Sequence, residues 1–204
     1  MPRPALLLWD IGGVLLSDGF DRASRAEAVA RFGLDAAEFE RRHARAEVDF
    51  ETGRLSWDGY LDATVFYEPR TFSREAFRDF VLAQSRPYPA AIATARSLRD
   101  TGRFRMAVLS NESRELNEYR LRTFGLVPIF DAFFSSCYTG LRKPDPAAYR
   151  LALSITQQAP EESLFLDDRE ENVAAAARLG LRTLRVHDPG RLGEELADAG
   201  VTAG

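Results

Sequence analysis

The chain has 204 residues, 45% of them hydrophobic and 28% charged, which is typical of a globular protein with one main core and room for one inserted subdomain. Its net charge of −4 argues against a nucleic-acid binder, and no apolar stretch is as long as a membrane span. The single cysteine, Cys137, excludes an internal disulfide framework and suits a reducing compartment. We therefore expect a cytoplasmic protein whose partner is a small molecule, not a nucleic acid or a membrane.

Continuous apolar runs along the chain predict strands that are buried on both faces of a sheet. The strongest runs cover residues 5–9, 106–109 and 164–166, and weaker candidates lie at 132–135 and 182–186. Helical patterns separate them at 89–100, at 113–125, from 145 onward and at 172–179. Strands that alternate with helices predict an α/β fold, a Rossmann-like parallel sheet with helices on both faces.

Residues 18–86 interrupt this alternation. They contain no good strand pattern, but they offer plausible helix N-caps at Asp35, Ser56 and Ser73, together with apolar residues at helical spacing. We predict that this segment is a small all-helical cap inserted after the first strand. Residues 1–17 and 87–204 then form the Rossmann-like catalytic core.

Polar side chains stand where the three strongest predicted strands end, and a lysine follows in a later loop. Because the carboxyl ends of parallel strands meet at one edge of a sheet, these side chains are expected to converge there. The set consists of Asp10, Ser110, Asn111, Lys143, Asp167 and Asp168.

Converging carboxylates repel one another unless a cation lies between them. A hard divalent ion such as Mg²⁺ suits one or two carboxylates together with a substrate phosphate. Lys143 is the only lysine among the 27 Lys and Arg residues, which suggests that a compact ammonium is needed at that position. The sequence therefore predicts a magnesium site that binds and activates a phosphoryl group.

The ordered set resembles the haloacid dehalogenase (HAD) superfamily, whose phosphatases pass through an aspartyl-phosphate intermediate. The matching motifs are Trp-Asp-Ile-Gly-Gly-Val-Leu (9–15), Val-Leu-Ser-Asn (108–111), Arg-Lys-Pro (142–144) and Phe-Leu-Asp-Asp (165–168). With Asn172, the last motif extends to a form similar to the branch that contains the phosphatase domain of soluble epoxide hydrolases and bacterial sugar-phosphate phosphatases.

The resemblance implies a role for each matching residue. It makes Asp10 the nucleophile and Lys143 the cation that neutralises the phosphoryl charge. The implied phosphate-binding groups are Ile11, Gly12, Ser110, Asn111 and Lys143. The implied ligands of Mg²⁺ are Asp10, the Gly12 carbonyl, Asp168 and Asp167, with Asn172 in support.

One position departs from the pattern of the family's phosphatases. They usually carry a second aspartate two residues after the nucleophile, which serves as general acid and base, and here that position is Gly12. Three alternatives follow. The protein is a phosphatase for a small phosphorylated metabolite whose leaving group is tolerable or whose acid comes from the cap or a water. Otherwise it attacks carbon, as dehalogenases do, or it is a weakly catalytic member that binds a phospho-ligand or a partner. The Asp167-Asp168 pair argues against attack on carbon, because those enzymes do not need magnesium.

The cap is expected to close over the site and to set specificity. Trp57 and Tyr60 are interpreted as cap core, and neither His43 nor His187 is given a role. Polar cap residues are interpreted as surface positions rather than substrate contacts, and they are Arg41, Arg42, His43, Arg45, Glu51 and Arg54.

Overall fold

The computed structural model describes residues 4–203, and its centre is a parallel sheet of five strands in the order β3-β2-β1-β4-β5. The strands are β1 (Leu6–Trp9), β2 (Arg105–Ser110), β3 (Ala132–Ser135), β4 (Ser163–Asp167) and β5 (Arg182–Arg185). In register, Trp9 of β1 lies beside Val108 of β2 and Leu166 of β4. The predicted parallel sheet is confirmed, with each strand end within one residue of its predicted position.

The helices lie in the segments between these strands and after β5. Near the N-terminus they are α1 (Arg22–Phe32), α2 (Ala36–Glu51), α3 (Trp57–Thr64) and α4 (Arg74–Ala83). Those that follow are α5 (Pro89–Asp100), α6 (Arg114–Thr123), α7 (Ser136–Thr139), α8 (Pro146–Thr156), α9 (Glu170–Arg178) and α10 (Leu192–Asp198). In the described part of the chain, none of these helices is both long enough and apolar enough to cross a membrane.

The sheet has a hydrophobic core on each face because the side chains of its central strand alternate between them. Leu7 and Trp9 pack on one face with apolar residues of α5 and α10. Leu6 and Leu8 pack on the other face with apolar residues of α8 and α9. The sheet is thus covered on both sides, and its carboxyl edge is left for the polar residues that follow the strands.

Helices α1 to α4 enclose a separate aromatic core that includes Phe39, Trp57, Tyr60 and Phe77. Trp57 and Tyr60 therefore lie in the cap core, as predicted. The predicted N-caps are also in place, since the side chains of Asp35, Ser56 and Ser73 each accept a hydrogen bond from the amide three residues later. We keep residues 18–86 as the proposed cap subdomain.

The chain crosses between the two units at residues 17–18 and again at 84–87, and the two crossings are tied together. The Ser17 amide donates to the Arg86 carbonyl at 2.8 Å, and the Ser17 hydroxyl donates to the Gln84 carbonyl at 2.8 Å. The Arg86 amide donates to the Ser17 hydroxyl at 2.9 Å. Ser17 therefore fixes the position at which the chain enters the cap.

Candidate active site

A cleft of about 540 Å³ between the sheet and the proposed cap is lined by four of the predicted polar residues, Asp10, Ser110, Asn111 and Lys143. Asp167 and Asp168 lie beside Asp10. Asp10 follows β1, Ser110 ends β2 and Asp167 ends β4. Because β1 lies between β2 and β4, these three strands deliver their last residues to one place. The site is therefore built by the sheet, and the cap supplies the opposite wall of the cleft.

Lys143 joins two of the carboxylates. Its Nζ lies 2.9 Å from Asp10 Oδ1 and 2.6 Å from Asp167 Oδ2, and the residue is only 3% exposed. Burial alone lowers the pKa of Lys143, but the two carboxylates outweigh it and hold the pKa above its ordinary value. The ammonium therefore stays charged between the aspartates.

The side chain of Asn111 is bound to the backbone of Lys143. Its Nδ2 donates to the Lys143 carbonyl at 2.8 Å, and its Oδ1 accepts from the Lys143 amide at 2.9 Å. Sequence analysis assigned Asn111 to the phosphoryl group and missed this contact. In the structure the amide holds the loop that carries the lysine, while the residue also lines the cleft beside Ser110.

The backbone after Asp10 is shaped by close approaches. The Ile11 amide, predicted to bind phosphate, donates to Asp10 Oδ1 at 2.8 Å and so orients that carboxylate here. Gly12 lines the cleft. Gly13 has a φ of +67°, and a β-carbon there would lie 2.4 Å from Cγ of Asp168. Only glycine allows the loop to pass so close to that carboxylate.

Three carboxylates form a group that suits a hard cation. Asp10, Asp167 and Asp168 each offer an oxygen atom, and these atoms lie within 4.8 Å of one another. Asp168 Oδ1 is buried and has no hydrogen-bond partner among the described residues. Burial, with the charges of Asp18 and Asp10, raises the pKa of Asp168 to about 6. An all-oxygen donor set with one orphaned buried atom fits Mg²⁺.

Asp167 accepts hydrogen bonds from more donors than Asp10 or Asp168 does. Besides Lys143, it accepts from Asn172 Nδ2 at 3.0 Å on each oxygen and from the Arg169 amide at 2.8 Å. Asn172 is 4% exposed. The structure thus brings Asn172 to the carboxylate beside the nucleophile, at the position from which it can orient Asp167.

Sequence analysis missed several charged residues that line the cleft, among them Asp18, Glu112, Arg120 and Arg169. Glu112 and Arg120 form an ion pair whose side chains are 3% and 1% exposed. Arg120 also donates to the Ser17 carbonyl, which joins α6 to the cap entry. Glu112 directly follows the Ser110-Asn111 pair, so its place in the sequence was a usable signal; Arg120 and Asp18 carry no comparable local signal.

Two of the cap residues interpreted as surface positions lie in the cleft instead. His43 is 8% exposed, and its Nδ1 lies 2.8 Å from the Tyr60 hydroxyl. Glu51 lies beside Arg142, with 2.7 Å between Glu51 Oε2 and Arg142 Nε. The surface interpretation was therefore wrong for these two residues, since both line the cleft. It holds for the exposed residues Arg41, Arg45 and Arg54.

Comparison with known proteins places this site in a family. The model of the haloacid dehalogenase-like hydrolases matches residues 4–180. A phosphoglycolate phosphatase from Aquifex aeolicus is 29% identical over 110 residues, which cover 54% of this chain and 51% of that protein. Bifunctional epoxide hydrolase 2 from Sus scrofa is 30% identical over 124 residues, which cover 59% of this chain and 22% of that protein. The chain thus spans about half or less of these two relatives.

The fold is shared with solved structures. A HAD family enzyme from Bacteroides thetaiotaomicron, in complex with magnesium and inorganic phosphate, has a TM-score of 0.75 and 20% identity, with 93% of this chain and 98% of that chain covered. At that identity the likeness concerns the fold alone. The family model, by contrast, matches most of the chain and includes all of the motifs at the strand ends. The protein is therefore a member of the haloacid dehalogenase-like hydrolase family.

Proposed function

We propose that the protein is a magnesium-dependent phosphatase that hydrolyses a small phosphorylated metabolite through an aspartyl-phosphate on Asp10. The observation that carries the proposal is the buried Lys143 ammonium between Asp10 and Asp167, with Asp168 beside them. Support also comes from the phosphatases among the relatives and from the magnesium and phosphate bound by the structural neighbour.

The Asp10 carboxylate is held in one orientation through its Oδ1 oxygen. Its Oδ1 accepts from the Ile11 amide and lies 2.9 Å from the Lys143 ammonium. Because Oδ1 is held by these two contacts, we assign the attack on phosphorus to Oδ2. A carboxylate fixed through one oxygen loses little freedom when it meets phosphorus, which favours nucleophilic attack.

The remaining groups reduce the electrostatic repulsion between the anionic nucleophile and the anionic phosphoryl group. Asp10, Asp167, Asp168 and the Gly12 carbonyl are the groups that would hold Mg²⁺, which when bound neutralises part of the phosphoryl charge. Lys143 supplies a second positive charge, and Ser110 is placed to donate to a phosphoryl oxygen. Asn111 and Asn172 keep Lys143 and Asp167 in position.

The proposal is tested by a screen of phosphorylated metabolites and 4-nitrophenyl phosphate, with and without Mg²⁺, on the wild type and Asp10→Asn. We expect magnesium-dependent release of phosphate by the wild type. Asp10→Asn should release none because an amide cannot form the intermediate. Its circular dichroism and melting temperature show whether the fold persists.

A matched control is Asp35→Asn, which changes an exposed carboxylate that caps α2 outside the cleft and should leave turnover unchanged. Full activity in Asp10→Asn would refute the mechanism. Trapping of Asp10 by beryllium fluoride without turnover of any phosphate ester would favour a phospho-ligand binder. Magnesium-independent release of halide from a haloacid would favour attack on carbon.

A further inference from the structure

The space that a side chain at position 12 would enter is filled by another carboxylate. A β-carbon built on Gly12 would lie 3.1 Å from Asp18 Oδ1 and 3.6 Å from Asp18 Cα. Gly12 is not among the glycines with a positive φ, so its backbone could carry a side chain. The carboxylate of Asp18 thus stands close to where an aspartate at position 12 would place its own.

Asp18 faces the reaction site. It lines the same cleft as Asp10 and is partly buried. Within residues 4–203, no hydrogen bond is among the main influences on its carboxylate. The charged groups that act on it are Arg169, Asp10, Asp21 and Arg120. A carboxylate that lines the cleft beside the nucleophile can exchange a proton with a molecule bound there.

The loop that carries Asp18 is held from both sides. Arg120 donates to the carbonyl of Ser17, and Arg120 is itself paired with Glu112. Ser17 is also bonded to the returning chain at Gln84 and Arg86. These contacts hold the backbone directly before Asp18 in place. The carboxylate of Asp18 is therefore carried by a fixed segment of the chain.

We propose that Asp18 is the general acid and base that replaces the missing aspartate at position 12. This inference rests on the phosphatase function proposed above. In the first step Asp10 bonds to phosphorus, the bond from phosphorus to the leaving oxygen breaks, and protonated Asp18 gives its proton to that oxygen. In the second step a water oxygen bonds to phosphorus, Asp18 takes the water proton, and the bond to Asp10 breaks. Phosphate leaves, and both aspartates return to their initial states.

The test compares wild type and Asp18→Asn on an alkyl phosphate and on 4-nitrophenyl phosphate. A lost acid or base costs about 10²–10⁴-fold, and an alkyl leaving group needs the proton. We expect kcat for the alkyl phosphate to fall by that factor. With 4-nitrophenyl phosphate the first step needs no acid, so a burst of nitrophenolate should precede slow turnover, and acid quenching should recover phosphate on Asp10.

A swap separates catalysis from structure. We expect the double variant with Gly12→Asp and Asp18→Ala to be at least tenfold more active on the alkyl phosphate than Asp18→Ala alone. Gly12→Asp alone should gain nothing, because its side chain meets Asp18. Asp35→Asn again serves as the control for a lost carboxylate, and melting temperatures show that each variant is folded.

Distinct outcomes overturn distinct claims. An unchanged kcat in Asp18→Asn overturns the role of Asp18. The same conclusion follows if kcat falls equally for both substrates, no burst of nitrophenolate is seen, and Gly12→Asp does not restore activity to Asp18→Ala. In both cases the phosphatase proposal stands if Asp10→Asn is inactive. If wild type releases no phosphate from any ester, or if Asp10→Asn keeps its activity, both proposals fail together.

Discussion

Two buried cations lie near the carboxyl edge of the sheet, and they differ in what they join. Lys143 is 3% exposed and contacts the carboxylates of Asp10 and Asp167. Arg120 is 1% exposed, pairs with Glu112 and donates to the carbonyl of Ser17. The lysine lies between two carboxylates of the candidate active site, whereas the arginine links a carboxylate to the backbone of the cap entry.

The shapes of the two cations match these tasks. A compact ammonium fits between the carboxylates of Asp10 and Asp167. A planar guanidinium spreads its donors, and Arg120 uses them to hold α6 and the loop at Ser17 together. In the proposed mechanism a positive charge serves catalysis at Lys143, whereas at Arg120 it holds two segments together. We therefore predict that removal of Lys143 lowers turnover and that removal of Arg120 lowers stability.

The largest effect on stability is expected from Arg120→Met. The substitution leaves Glu112 buried without its partner, and breaking a buried ion pair costs about 3–5 kcal/mol. Urea unfolding measures this loss. Arg122→Met is the matched control, because Arg122 lies on the same helix with 78% of its side chain exposed and should cost less than about 0.5 kcal/mol.

Replacing both members of the pair sharpens the interpretation. Glu112→Leu with Arg120→Met removes the unpaired charge, so most of the lost stability should return. If Arg120→Met proves no more destabilising than Arg122→Met, the buried pair has no architectural role and the contrast with Lys143 disappears.

Lys143→Gln should act mainly on turnover. Removing one group that stabilises transition-state charge lowers kcat by about 10²–10³-fold. Lys143→Arg should not restore activity, since a guanidinium is too broad for a site with 2.9 Å to Asp10 and 2.6 Å to Asp167. Single-turnover rates at saturating Mg²⁺ measure the effect.

Arg150→Gln, an exposed cation on α8, is the control and should retain the wild-type rate. Wild-type turnover in Lys143→Arg would mean that any positive charge suffices there. The retention of the chain's only lysine would then have no chemical reason.

The fold and the catalytic edge could be predicted because their signals are local. Each strand is a short apolar run, and the polar residue that ends it is its neighbour in the sequence. Once the strands are parallel, geometry brings Asp10, Ser110 and Asp167 together without further information. Asn172 lies five positions after Asp167, so its contact is also nearly local.

The missed residues depend on contacts that no local pattern in the sequence indicates. Arg120 meets Ser17 across 103 positions, and no periodicity or motif links the two. Asp18 becomes relevant only because the chain turns back beside Gly12. Helical periodicity indicates which face of α2 is buried, but it does not tell whether His43 and Glu51 face a core or a cleft.

The smallest expected effect concerns a third charged network, in which Glu51 lies beside Arg142. Burial outweighs the guanidinium and raises the pKa of Glu51 from 4.5 to about 7. A carboxyl with a raised pKa binds its proton more tightly in the folded state. Its contribution to stability is therefore complete below pH 4.5 and is lost as the pH rises through about 7. At about 1.4 kcal/mol per unit of pKa, the loss amounts to at most about 3.5 kcal/mol, and solvent around the partly exposed Glu51 side chain reduces it.

Glu51→Gln should remove this contribution, so the difference in unfolding free energy between variant and wild type should rise from pH 4.5 to pH 8. Guanidinium unfolding across that range measures it. The control is Glu40→Gln in the same helix, because Arg25 lowers the pKa of Glu40 and its contribution is instead lost as the pH falls. Parallel curves for both variants would show that Glu51 titrates as an ordinary surface acid.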